Sequence, residues 1–192
     1  MQYHTAGGHA RVGGAWGLLP PLLPTGEPIA AADVIDTNAF LDTELVFPIS
    51  RSGNRTDLTF FYWQTYAATI RGKEALQQVC RNPIQCSPAC TAENDKLWLM
   101  RPPSISGCID DKKTNIVWHP TYPDRHPLSH LSGRIRSLGN IHISEHKVKD
   151  YDLFYLSEYP VFLLISERLV NTLHDMGVTG CGAMGYPAIV MA

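Results

Sequence analysis

Any chemistry in this chain would have to come from its cysteines, its histidines or its paired carboxylates, and the spacing of each limits what it can do. Cys80, Cys86 and Cys90 form a cluster, with Cys108 further along. Structural zinc takes thiolates in pairs about two to four residues apart, so that two ligands come from one knuckle. Only Cys86 and Cys90 have that spacing, so the cluster reads as reduced thiols without metal, with one bridge among the three left open. His126 and His130, and His142 and His146, are each four residues apart, a separation that puts both rings on one face of a helix. Pro127 interrupts the first pair, however, and Glu145 stands before His146 rather than after a first histidine. Asp110-Asp111, flanked by Lys112-Lys113, reads as a mixed-charge turn. Gly180-x-Gly182-x-x-Gly185 has the letters of a dinucleotide fingerprint, but Pro187 follows where that motif needs a helix. Cys181 has no linked histidine or asparagine, and no Gly-x-Ser-x-Gly elbow exposes a serine. No catalytic residue, metal ligand or cofactor is therefore assigned, and the chain is not expected to be an enzyme. The rival reading is a small metal-dependent hydrolase drawing on the histidines from His119 to His146.

The elements that would position such groups are readable in part. Residues 1–32 are rich in Gly, Pro and Ala and predict a loop-like arm with strand only near its ends. Trp16, Leu18, Leu19, Leu22 and Leu23 give that arm apolar anchors. A short helix is expected from Ala30 to Leu41, with Asp33 or Asp36 near its start, and a strand over Glu44–Ile49. The pairs Trp63/Ala67 and Tyr66/Ile70 fit a helix face, which predicts a helix from Asp57 to about Ile70 despite aromatic density that also suits a strand. A second helix is expected over Gly72–Cys80, followed by loop through Cys90 because of Pro83 and Pro88. Lys96–Met100 and Asn115–Trp118 read as strands stopped by prolines. His119–His130, with three prolines, reads as an exposed loop. In the last third, Val161–Ile165 is an uncharged apolar run that predicts a fully buried strand. Ser166 then caps a helix whose stripe is Leu169, Leu173 and Met176, with Gly177 at its left-handed end. Together these predict an α+β fold, a mixed sheet with a few packed helices and an irregular Gly/Pro-rich N-terminal arm. One domain is expected over 1–192, with 151–192 as a strand–helix–strand unit.

Bulk properties exclude more than they assign. Charged residues make up 18% of 192 positions and the formal net charge is −2, so neither nucleic acid nor an anionic membrane is indicated as partner. The one dense basic patch is Arg134–Arg136. No apolar run approaches the roughly 20 residues that span a bilayer, and the first residues lack the order of a secretory signal. The expectation is a cytoplasmic protein, and five cysteines, an odd number, suit a reducing compartment.

The series Asp152-x-Phe154, Pro160 through Leu169, Leu173, Gly177 and Thr179-Gly180 resembles an element of bacterial immunity proteins. These are the Myxococcus-type families that accompany polymorphic toxins and type VI secretion effectors. The resemblance covers only the C-terminal segment, and the double thiolate-pair motif of one such family is missing. It implies a protein that neutralises a cognate toxin effector by direct binding, with the toxin acting in the cytoplasm. Tight inhibitory interfaces rest on a few aromatic or arginine anchors inside a polar rim. On that implication Trp118, Tyr122, Asp124 and Arg125, on the proline-stiffened loop, are the partner-binding candidates. Ser166, Glu167 and Arg168 read as capping and surface residues. A homodimer, or a scaffold role within a secretion apparatus, stays open.

Overall fold

Apolar runs too continuous for a sheet with one wet face are here strands packed on both faces. The computed structural model describes residues 2–8, 14–29, 34, 42–61, 65–183 and 190–191. One five-stranded sheet is made of β1 (Tyr3–Gly8), β9 (Ser104–Ile105), β13 (Leu153–Leu156), β14 (Leu163–Ser166) and β15 (Cys181–Ala183), in the order β15-β1-β14-β13-β9. The other is made of β3 (Leu45–Phe47), β5 (Leu58–Phe61), β6 (Thr65–Ala68), β7 (Gln85–Thr91) and β8 (Lys96–Arg101), in the order β3-β7-β8-β6-β5. Each sheet is mixed: β13 runs parallel to β9, and β3 parallel to β7, while the remaining pairs are antiparallel. Packed on them, among the described residues, are the helices α1 (Ile70–Val79), α2 (Glu145–Val148) and α3 (Glu167–Asp175). The fold is α+β.

Alternation along the strands sorts the side chains into three apolar layers. Leu153, Tyr155, Leu163 and Ile165 of the first sheet meet Leu58, Tyr66, Ala68 and Met100 of the second in a central layer. Leu76 of α1 and Leu169 and Leu173 of α3 close that layer. The alternate residues Phe154, Leu156 and Leu164 face outward onto Tyr3, Ile143 and Val148. Phe47, Phe61, Ala67, Leu97 and Leu99 form the third layer, covered by Trp16, Leu18 and Ile29. The N-terminal arm is thus ordered where it is described, and the strand expected near its start is β1, lodged between β14 and β15.

Several expectations need correction. The residues expected as a helix from Asp57 to Ile70 form the antiparallel pair β5–β6, with Leu58 opposite Ala68 and Phe61 opposite Thr65. In-out alternation onto two apolar layers satisfied these aromatics better than a single helical stripe. Loop was expected through Cys90, yet β7 runs straight across Pro88. Pro88 is tolerated because pairing with β3 begins only at Ala89, leaving the strand partnered on one side at the proline. The buried run at Val161–Ile165 becomes strand only at Leu163; Val161 is exposed, and Phe162 N donates to Tyr159 O at 3.2 Å in a turn around Pro160. Met176 is exposed rather than part of the α3 stripe. The helix expected over 30–41 lies outside the described residues apart from Val34.

Other expectations hold. Ser166 caps α3, its Oγ accepting from Leu169 N at 3.1 Å. The helix expected over Gly72–Cys80 is α1, which starts two residues earlier at Ile70, where Thr69 Oγ1 accepts from Gly72 N at 3.2 Å. Lys96–Arg101 is a strand, and Gly177 ends α3 at φ +69°. Among the described residues no helix is long and apolar enough to cross a membrane.

Candidate functional site

The four partner-binding candidates sit on one hairpin. β10 (Asn115–Trp118) and β11 (Ile135–Gly139) pair antiparallel as a two-stranded ribbon separate from both five-stranded sheets. Ile116 lies opposite Leu138 and Val117 opposite Ser137, and the register then slips so that Trp118 meets Ile135. This bulge adds twist at the strand end. Leu138 packs against the layer of Ile141, Ile143 and Phe154, so the base of the ribbon is anchored. Its far end is wet: Val117 is 50% and Trp118 52% exposed.

The connection from β10 to β11 is held by its own hydrogen bonds. His119 N donates to Arg134 O at 2.9 Å, extending the ribbon past Trp118. His126 N donates to Pro123 O at 2.8 Å and closes a turn that carries Asp124 and Arg125 outward, both exposed. The Tyr122 amide donates to Ser132 Oγ at 2.9 Å, tying the two limbs of the loop. A short 3-10 turn over Ser129–Leu131 follows. The half-buried Tyr122 ring stacks on His126, with centroids 4.8 Å apart and planes 13° apart, and its hydroxyl lies 3.4 Å from His119 Nδ1. Trp118 is not part of this stack. The structure therefore places all four candidates on one projecting element, with Asp124 and Arg125 adjacent and Tyr122 bound to two histidines. Sequence reasoning missed that His119 and His126 brace Tyr122, although the Pro123-to-His126 turn was the available signal.

Among the described residues, no three His, Cys, Asp or Glu side chains are placed to hold an ion. Cys86 and Cys90 lie on β7, where four residues span roughly 13 Å, too far for the knuckle that their spacing would make in a turn. All five cysteines are free. Burial pushes the Cys80 and Cys108 thiols up to about 11, so both are protonated at neutral pH.

The densest polar cluster was not read from the sequence at all. Asp152 is fully buried just before β13, and its carboxylate accepts from Arg81 and Arg168. Arg81 Nη2 donates to Oδ1 at 2.8 Å and the Arg81 amide to Oδ2 at 2.9 Å. Ser166 Oγ donates to Oδ1 at 2.5 Å. Burial alone would raise this carboxyl, but the bonds from Arg81, Arg168 and Ser166 outweigh it and hold it well below the usual carboxylate range. Arg168 also caps the end of α1 through Val79 O, and Arg81 the end of α2 through Lys149 O. Asn82 completes the cluster, its Oδ1 accepting from the amides of Asp152 and Leu153. With every oxygen of Asp152 already occupied, the cluster joins α1, β13 and the β14–α3 corner and is not arranged to receive a substrate. Ser166 and Arg168, expected as cap and surface, are cap and ion-pair partner.

The chain matches no family model and no curated protein.

Proposed function

We propose that this is a cytoplasmic immunity protein that neutralises a cognate bacterial toxin effector, such as one delivered by type VI secretion, by direct binding and without turning over a substrate. The observation that carries the reading is the solvent-exposed Trp118 at the head of a loop whose backbone is already fixed. A large exposed indole, with exposed Val117 before it and exposed Leu128 on the same loop, is what a protein interface uses as an anchor. A loop ordered before contact loses less conformational freedom on binding, so more of the contact energy reaches the complex. In this reading Trp118 is the anchor, Tyr122 stiffens the loop through its stack on His126, and Asp124 and Arg125 supply the polar rim. The C-terminal resemblance to immunity proteins supports the same class.

Co-expression with the product of an adjacent toxin-bearing gene tests it. The wild-type chain should restore growth and co-purify with the toxin in fixed ratio. Trp118→Ala should weaken the complex about 30-fold, the effect of losing an anchor worth about 2 kcal/mol. Its melting temperature should stay within about 2 °C of wild type, because the indole is half exposed. Full toxin activity in the presence of excess wild-type chain would overturn the proposal.

A further inference from the structure

Several arginines of the body are ion-paired, although exposed Arg51 donates only to Ala15 O. In the body, Arg55 pairs with Asp95, Arg71 with Asp57, and Arg81 and Arg168 with Asp152. On the hairpin, Arg125, Arg134 and Arg136 are exposed, and among the described residues none of them has a carboxylate partner. Between Asn115 and Gly139 these three arginines stand against a single aspartate, Asp124, a net of +2 on a chain whose total is −2. An excess of positive charge is thus exposed on this hairpin without carboxylate partners among the described residues. Val117 and Trp118 are exposed on the same ribbon, and Arg134 and Arg136 flank Ile135, the residue opposite Trp118.

From this we infer that the hairpin docks on an acidic protein face, with Asp or Glu side chains receiving Arg125, Arg134 and Arg136 around an apolar recess that takes Trp118. The guanidinium fork matches a carboxylate with two parallel hydrogen bonds, and complementary charge at a rim speeds encounter and fixes orientation. A nucleic-acid strand fits less well. Asp124 stands at the tip among the arginines, and the body behind them is net negative, which opposes a polyphosphate. The inference rests on the reading that this hairpin is the binding face, and adds the chemistry of what it meets.

Fluorescently labelled poly-L-glutamate is the probe, titrated at low salt with oligo-dT of similar charge in parallel. Wild-type protein should bind poly-L-glutamate more tightly than oligo-dT. The double variant Arg134→Glu/Arg136→Glu should weaken poly-L-glutamate binding by about tenfold or more. The control Lys112→Glu/Lys113→Glu, at the neighbouring turn where Lys113 already faces Asp110 at 3.7 Å, should change it less than about twofold. Circular dichroism checks that these exposed substitutions leave the fold intact. Equal binding by the arginine variant, equal weakening by the lysine variant, or tighter binding of oligo-dT would each overturn the inference. Arginine-dependent poly-L-glutamate binding without toxin neutralisation would sink only the immunity reading. Neutralisation that survives the arginine reversal would sink only the acidic face.

Discussion

Asp152→Ala is expected to lower folding stability by about 3 kcal/mol, which for a chain of this size is roughly a 10 °C fall in melting temperature. Removing one member of a buried ion cluster leaves its partners without the charge that justified their position. The figure sits low in the usual range because Arg81 and Arg168 are 35% and 40% exposed, so water can take them back. Ser166 loses its acceptor at the same time, loosening the cap of α3. The effect has a pH signature. Asp152 titrates far lower in the folded protein than its ordinary 3.8, so its contribution is complete above about pH 5. It then declines as pH falls below the unfolded value towards the folded one. Stability of wild type and variant should accordingly converge between about pH 5 and about pH 2. Denaturant melts across that range check this. A loss under about 1 kcal/mol at pH 7, or a gap that widens in acid, would show that the cluster does not hold these elements together.

Gly180→Ala should be comparably damaging, at about 3 kcal/mol, whereas Gly177→Ala should cost only about 1 kcal/mol. Both glycines have positive φ, +87° and +69°, so both substitutions carry the left-handed penalty. They differ in what the added methyl meets. At Gly180 it would lie 1.9 Å from the backbone oxygen of Leu58 and 2.7 Å from Thr56 Cβ, so the main chain itself must move. At Gly177 the nearest atom is the Arg71 guanidinium at 3.4 Å, which can swing away. The Gly180 contact matters because this segment fastens the two sheets: Leu58 N donates to Thr179 O at 3.0 Å, and Asp57 Oδ2 accepts from Thr179 N at 2.9 Å. Thermal melts of the two variants side by side decide the point, and equal losses would refute the steric argument.

What the residues disclosed in advance was local. The Ser166 cap, the left-handed Gly177, the helix over Gly72–Cys80 and the proline-bounded strand Lys96–Met100 all depend on neighbours within one or two turns. Asp57–Ile70 misled because its aromatics satisfy a period of two or of 3.6 equally well, and only a second apolar layer across the sheet selects the former. Pro88 misled because its tolerance depends on where a distant strand begins to pair. The hairpin candidates were legible as a proline-stiffened exposed loop, but the unpaired state of Arg125, Arg134 and Arg136 needed the three-dimensional positions of every carboxylate. Asp152 and Arg81 are 71 residues apart, and nothing in either neighbourhood announces the other.

The place of β1 carries one more consequence. Tyr3 pairs with Ser166, and Ala6 with Ala183, so β1 must wait for β14 and β15, both made far later. During synthesis the ribosome emits Tyr3–Gly8 long before any neighbour for it exists, and the first sheet cannot be completed until Cys181–Ala183 has emerged. Nascent chains of this protein should thus stay protease-sensitive at Tyr3–Gly8 until Cys181–Ala183 has left the ribosome, and chaperone contact there would precede burial of the strand.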